Sequence, residues 1–123
     1  MKASTAALMN SILHDVVNGG TGSSANFSGM TLAGKTGTTN DLRDRYFVGY
    51  SPYYVGACWV GYESNSRVSS GGVNPAAILW NKVMSQIHAG LENKNFFSSS
   101  DLVQVTVCAD SGMLASNLCE QDP

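Results

Sequence analysis

A chain of 123 residues, 43% hydrophobic and only 13% charged, can bury one small core and is too apolar to be a disordered segment. Its net charge of -2 offers no basic surface for nucleic acid or an anionic membrane. No apolar run approaches the roughly 20 residues of a membrane span, and Met1-Lys2-Ala3-Ser4-Thr5 opens without the apolar region of a signal peptide.

The first element is a helix from Thr5, as cap, to about Asn18. Leu8, Met9, Ile12, Leu13, Val16 and Val17 fall on one face at helical spacing, and Gly19-Gly20 stop it. His14 lies near its C-terminal end, where a capping or solvated histidine is the plain reading. A polar, glycine-rich loop follows over residues 19–29.

The next stretch, Thr31-Leu32-Ala33-Gly34-Lys35-Thr36-Gly37-Thr38-Thr39, is the one that carries chemistry. Its apolar run is too short for a helix and reads as a strand with a polar end. Alternation puts Lys35 and Gly37 on one side and Thr36 and Thr38 on the other. Gly37 has no side chain, so another molecule can lie close there. A cation beside hydroxyls at such an edge suits an acidic substrate.

The same letters match a phosphate-binding loop, G-x-x-x-x-G-K-[ST], from Gly29 to Thr36. That mechanism needs a strand before Gly29 and a helix from Lys35. A polar loop precedes Gly29 and Gly37-Thr38-Thr39-Asn40-Asp41 follows, so neither is expected. A purely structural strand is the other competing reading.

Two more strands are expected, from 45 to 50 and between Tyr54 and Tyr62. Asn and Asp in residues 39–44 make the first turn. Ser51-Pro52-Tyr53 is short enough to force an antiparallel hairpin. The hairpin is apolar on both sides, so helices should cover at least one face. After a Ser- and Gly-rich loop, Asn74 caps a helix with Pro75 at its first position, and Gly90 ends it. Ile78, Leu79, Val83, Met84 and Ile87 form its expected buried stripe, with Trp80 beside it. Leu102 to Cys108 alternates like a short strand, and the remainder reads as loop. Cys58 sits in an apolar strand. Cys108 and Cys119 flank a Gly-containing loop at no common zinc spacing, so no metal or other cofactor is expected.

Lys35-Thr36-Gly37 is also the third signature of the penicillin-recognising serine enzymes. Ala33 to Asp41, then Asp44, Phe47-Val48-Gly49-Tyr50-Ser51-Pro52 and Trp59-Val60-Gly61-Tyr62, strongly resemble the transpeptidase domain of bifunctional (class A) penicillin-binding proteins. Gly20-Thr21-Gly22, the helix from Pro75 and Val105 to Gly112 extend the likeness. Arg45-Tyr46 depart from it, standing where the family usually has Ala-Trp.

The resemblance implies an α+β fold, an antiparallel sheet flanked by helices, as part of the penicillin-binding protein and serine β-lactamase fold. Residues 1–95 would be the C-terminal part of that domain, and 96–123 an extension holding the short strand and the Cys pair. Lys35 would set the local potential and Thr36 and Thr38 would meet the substrate carboxylate. The Thr38 N–H would be an oxyanion donor, and Gly37 would leave room for substrate. The implied partners are peptidoglycan stem peptides ending in D-alanyl-D-alanine, and β-lactams that mimic them. The implied location is the extracytoplasmic cell envelope, anchored to the membrane elsewhere in the parent. There Cys108 and Cys119 would be either bridged or free.

Ser24-Ala25-Asn26 matches the second signature, Ser-x-Asn, by letters only, because eight residues are too few before Lys35. No lysine has serine three places before it, so the Ser-x-x-Lys nucleophile is absent and the chain alone is expected to be inactive. Two readings follow: part of a transpeptidase, or a non-catalytic envelope module that keeps only the carboxylate-binding strand. In the family, two further strands pair beyond the strand between Tyr54 and Tyr62. That strand has no charge, lysine or proline to protect its edge, so a homo-oligomer through it is expected.

Overall fold

The computed structural model describes residues 1–69 and 71–115. Helix α1 spans Ala3–Asn18, a 3-10 turn Ser23–Ala25, strands β1 Ala33–Thr38, β2 Asp44–Tyr50 and β3 Val55–Gly61, and helix α2 Pro75–Ile87. The strands form an antiparallel sheet in the order β1-β2-β3. The α+β expectation holds, and the three strands fall within two residues of where the sequence puts them.

The register aligns Gly34, Gly49 and Gly56 in one row across the sheet. On that face Phe47 and Trp80 are fully buried and meet edge-on, with centroids 5.2 Å apart. A Cβ on Gly49 would stand 2.5 Å from Phe47 Cε1 and 2.9 Å from Trp80 Cζ2, and one on Gly56 2.9 Å from Trp80 Nε1. The row is therefore a slot for the indole, whose Nε1–H donates to the Gly56 carbonyl at 3.0 Å.

This slot corrects the expected face of α2. Ala76, Ala77, Trp80 and Met84 are buried, whereas Ile78, Leu79, Val83 and Ile87 are exposed. The flat ring fits over glycines, and small alanines let the helix approach; branched aliphatics do neither. The cap is as expected: Asn74 Oδ1 accepts from Ala76 N–H at 3.0 Å, and Asn74 Nδ2 donates to Tyr46 O at 3.0 Å. The helix stops three residues before Gly90, which takes a positive φ of 82°.

Helix α1 begins three residues earlier than expected, with Lys2 rather than Thr5 as cap and no capping side chain. Val17 is buried, but Leu8, Met9 and Ile12 from the expected apolar face are exposed, since nothing among the described residues packs on them fully. The opposite face of the sheet likewise shows Tyr46, Val48, Val55 and Trp59 to solvent. Helix α2 covers one face of the β2–β3 pair, the minimum that composition required.

The β2–β3 hairpin is closed by Ser51, whose N–H donates to Tyr54 O at 2.9 Å. Ser51 Oγ accepts the N–H groups of Tyr53 and Tyr54 at 3.0 and 3.1 Å. It donates its proton to Nε2 of buried His88 at 2.7 Å, because His88 Nδ1 must donate to the Met84 carbonyl at 2.6 Å. The expected strand from Leu102 to Cys108 is not formed: only a bridge joins Val107 to Leu114, around a turn in which Gly112 N–H bonds Cys108 O. That turn bonds locally, and among the described residues β3 has no strand on its outer side. Cys119 lies outside the described residues, so its pairing with Cys108 does too.

Candidate active-site strand

Strand β1 occupies a sheet edge. The direction of its backbone groups follows from its turn: Thr39 N–H donates to Asp44 O at 3.2 Å, toward β2. Antiparallel alternation then aims the N–H and C=O of Thr36 and Thr38 away from β2, out of an edge that carries no further strand among the described residues. The turn itself is built by Thr39, whose hydroxyl accepts from Arg43 and Asp44 N–H at 3.2 and 3.0 Å, while Leu42 takes a positive φ of 58°.

Lys35 is exposed, and its ammonium curls onto that edge, donating to Thr36 O at 3.1 Å and Thr36 Oγ1 at 3.3 Å. No carboxylate pairs with it among the described residues. Thr36 Oγ1 also meets Thr21 Oγ1 at 3.1 Å. Thr38 Oγ1 accepts from Arg45 Nη1 at 3.4 Å. Gly37 lies opposite Tyr46 in register, and a Cβ there would stand 3.1 Å from Tyr46 Cβ. The structure thus gathers Lys35 and Thr36 with Thr21, and sets Thr38 with Arg45 two residue pairs further along.

Nothing in the sequence marks Thr21 or Arg45 as a site residue. Thr21 sits in Gly20-Thr21-Gly22, a loop that belongs to the family likeness, and Arg45 is a departure from it. Buried Gly22 packs near Phe47 and explains how Thr21 is held: its added Cβ would stand 3.2 Å from Phe47 Cε2. His14 is structural. Its Nδ1–H donates to Leu32 O at 2.6 Å, just before β1, and its Nε2 accepts from Asn18 Nδ2 at 2.7 Å. Ser24-Ala25-Asn26 forms the 3-10 turn and its cap, with Ala25 buried, consistent with a chance match to a signature.

No helix among the described residues is long and apolar enough to cross a membrane. Residues 1–85 match the family described as penicillin binding protein transpeptidase domain. Penicillin-binding protein 1A of Clostridium perfringens is 39% identical over 114 residues, covering 91% of this chain and 14% of that protein. Penicillin-binding protein 1A of Pseudomonas aeruginosa is 45% identical over 86 residues, covering 67% of this chain and 10% of that protein. The fold is similar to the crystal structure of penicillin-binding protein 1A from Haemophilus influenzae, with a TM-score of 0.74 and 22% identity over 95% of this chain and 19% of that one. The chain spans about one seventh of the length of its clostridial relative. By the family match over most of its length and by this kinship, the chain belongs to the penicillin-binding protein transpeptidase family.

Proposed function

We propose that β1 is the substrate-side strand of a peptidoglycan D,D-transpeptidase, acting on stem peptides that end in D-alanyl-D-alanine and open to the β-lactams that mimic them. The observation that carries this reading is the free β1 edge. Thr36 and Thr38 aim backbone groups outward there, beside an ammonium with no carboxylate partner among the described residues.

An extended peptide laid along this edge adds a strand. The Lys35 ammonium and the hydroxyls of Thr36 and Thr38 attract its terminal carboxylate. The Thr38 N–H donates to the scissile carbonyl oxygen as negative charge develops on it. The serine nucleophile and its lysine are not in these 123 residues, so acyl transfer needs residues from outside this sequence, and the chain alone forms no acyl-enzyme. The parent works on the extracytoplasmic side of the membrane, where its substrate lies.

A D-alanyl-D-alanine peptide titrated into the 15N-labelled chain tests the reading. The expected result is movement of the Thr36 and Thr38 amide signals with the free acid and much less with the C-terminal amide. No movement of either signal at millimolar peptide overturns it. Intact mass after incubation with a reactive penicillin should show no adduct; a stoichiometric adduct on a serine overturns the inactivity of the chain alone. A non-catalytic envelope module would differ only in its parent lacking Ser-x-x-Lys.

The second edge, β3, is proposed to pair with β3 of another copy. Residues 55, 57, 59 and 61 alternate with those bonded to β2, so their backbone groups point outward. Val55 is 75% exposed, and no charged side chain guards the strand.

A further inference from the structure

We propose that Arg45 and Arg67 form a carboxylate-binding pocket beside Thr38, and that it takes an acidic side group of a peptide lying along β1. The peptide part of this proposal rests on the reading of β1 above; the anion pocket does not.

Arg45 stands on β2 opposite Thr38 and donates to its hydroxyl through Nη1. Its Nε–H is buried with no hydrogen-bond partner. A buried unpaired donor on a permanent cation is costly and calls for an acceptor. Arg67 reaches the same place from the loop after β3. That loop is tied down by Val68 N–H to Leu42 O at 2.8 Å and by Arg67 Nε–H to Asp41 O at 3.3 Å. Both arginines line a cavity of about 280 Å³, with Leu42 and Val68 among its walls.

No carboxylate pairs with either guanidinium among the described residues. The two nearest Arg45 in sequence are engaged elsewhere. Asp41 pairs with Arg43 at 3.5 Å, and Asp44 Oδ1 accepts the Trp59 indole N–H at 3.0 Å. Two arginines line one small cavity, and a planar guanidinium fork matches the geometry of a carboxylate. Because Arg45 also holds Thr38, an anion seated there is linked to the strand edge that would carry the peptide. Arg45 is a departure from the family the chain resembles, so the pocket is a feature through which this chain would select its peptide.

The pocket is tested by following arginine Nε–H signals of the 15N-labelled chain while sodium acetate replaces sodium chloride at constant ionic strength. The signals of Arg45 and Arg67 should move saturably, and that of Arg43 should not. Arg67→Ala, in an exposed loop, and Arg45→Ala should each weaken the response about tenfold. The backbone spectrum shows that each variant is folded, and Arg67→Ala decides if Arg45→Ala is not. Equal movement in acetate and chloride, or equal movement of all three arginines, overturns the pocket.

The peptide assignment is read separately. A D-alanyl-D-alanine peptide carrying one side-chain carboxylate should bind about tenfold more tightly than its side-chain carboxamide analogue, and Arg67→Ala should erase the difference. Equal binding of the two peptides overturns the assignment. Failure of both to bind at β1 overturns it together with the reading of β1, and the acetate response still decides the pocket.

Discussion

The hydroxyls of Thr21 and Thr36 meet at 3.1 Å, tying the loop after α1 to the strand that carries the Lys-Thr-Gly motif. Lys35 Nζ reaches the same Thr36 hydroxyl at 3.3 Å, so Thr21 helps fix which way that hydroxyl points. Thr21→Val should leave the fold intact, costing about 1 kcal/mol or less in urea denaturation, because the bond is exposed. It should weaken a D-alanyl-D-alanine peptide about three- to tenfold, with Thr21→Ser restoring affinity. Equal affinity in Thr21→Val and the parent chain would remove Thr21 from the site.

Gly49 is held as glycine by the rings of Phe47 and Trp80. Gly49→Ala should destabilise the chain by about 1–3 kcal/mol through overpacking, and Trp80→Ala by about 3–5 kcal/mol through the cavity it leaves. Both read out as shifts of the urea midpoint. The double variant should be less destabilised than the sum, since removing the indole relieves part of the clash. Strict additivity would show that the slot does not couple the two.

Ser51→Ala removes the proton donor to buried His88 and the acceptor of two hairpin N–H groups. The expected cost is about 1–3 kcal/mol, as for a buried polar group left unpaired. A change below a few tenths of a kcal/mol in urea denaturation would mean that the hairpin is held by its backbone bonds alone.

Alkali should weaken the fold. Burial pushes the Cys58 thiol above its ordinary value of 9.0 and the Tyr50 phenol above 10.0. A raised value means that the folded chain keeps its proton more firmly than the unfolded one. The associated stability is whole below about pH 9 and is lost as pH rises through each folded value. Tyr50 also donates to Asn10 Oδ1 at 2.8 Å, which a phenolate cannot do. Urea midpoints measured from pH 7 upward should fall above pH 9, and Tyr50→Phe should flatten the upper part of the fall. A flat profile in the parent chain contradicts the assignment.

Ala57 points its N–H out of the sheet, away from β2. Proline there deletes no β2–β3 bond but blocks an added strand. Light scattering after size exclusion should report an assembly for the parent chain and a monomer for Ala57→Pro or Ala57→Lys. A monomeric parent chain would rule out pairing through β3.

The sequence by itself determined the order of elements and the motif strand. Glycines and Asn-Asp turns bound short β-rich runs, and these local rules act over a few residues wherever the chain lies. It also determined that Lys35 and Thr36 neighbour each other, because one backbone holds both. The face of α2 was decided only by the tertiary structure. Periodicity marks which residues share a side, but α2 has two apolar sides, and the glycine row chose the one bearing Trp80. The same holds for the segment from Leu102 to Cys108, which alternates like a strand yet bridges at Val107 to Leu114 across a local turn. Thr21 and Arg45 come beside Thr36 and Thr38 for the same reason: one arrives from 15 residues upstream of Thr36 and the other across a strand pair, and only folding sets such distances.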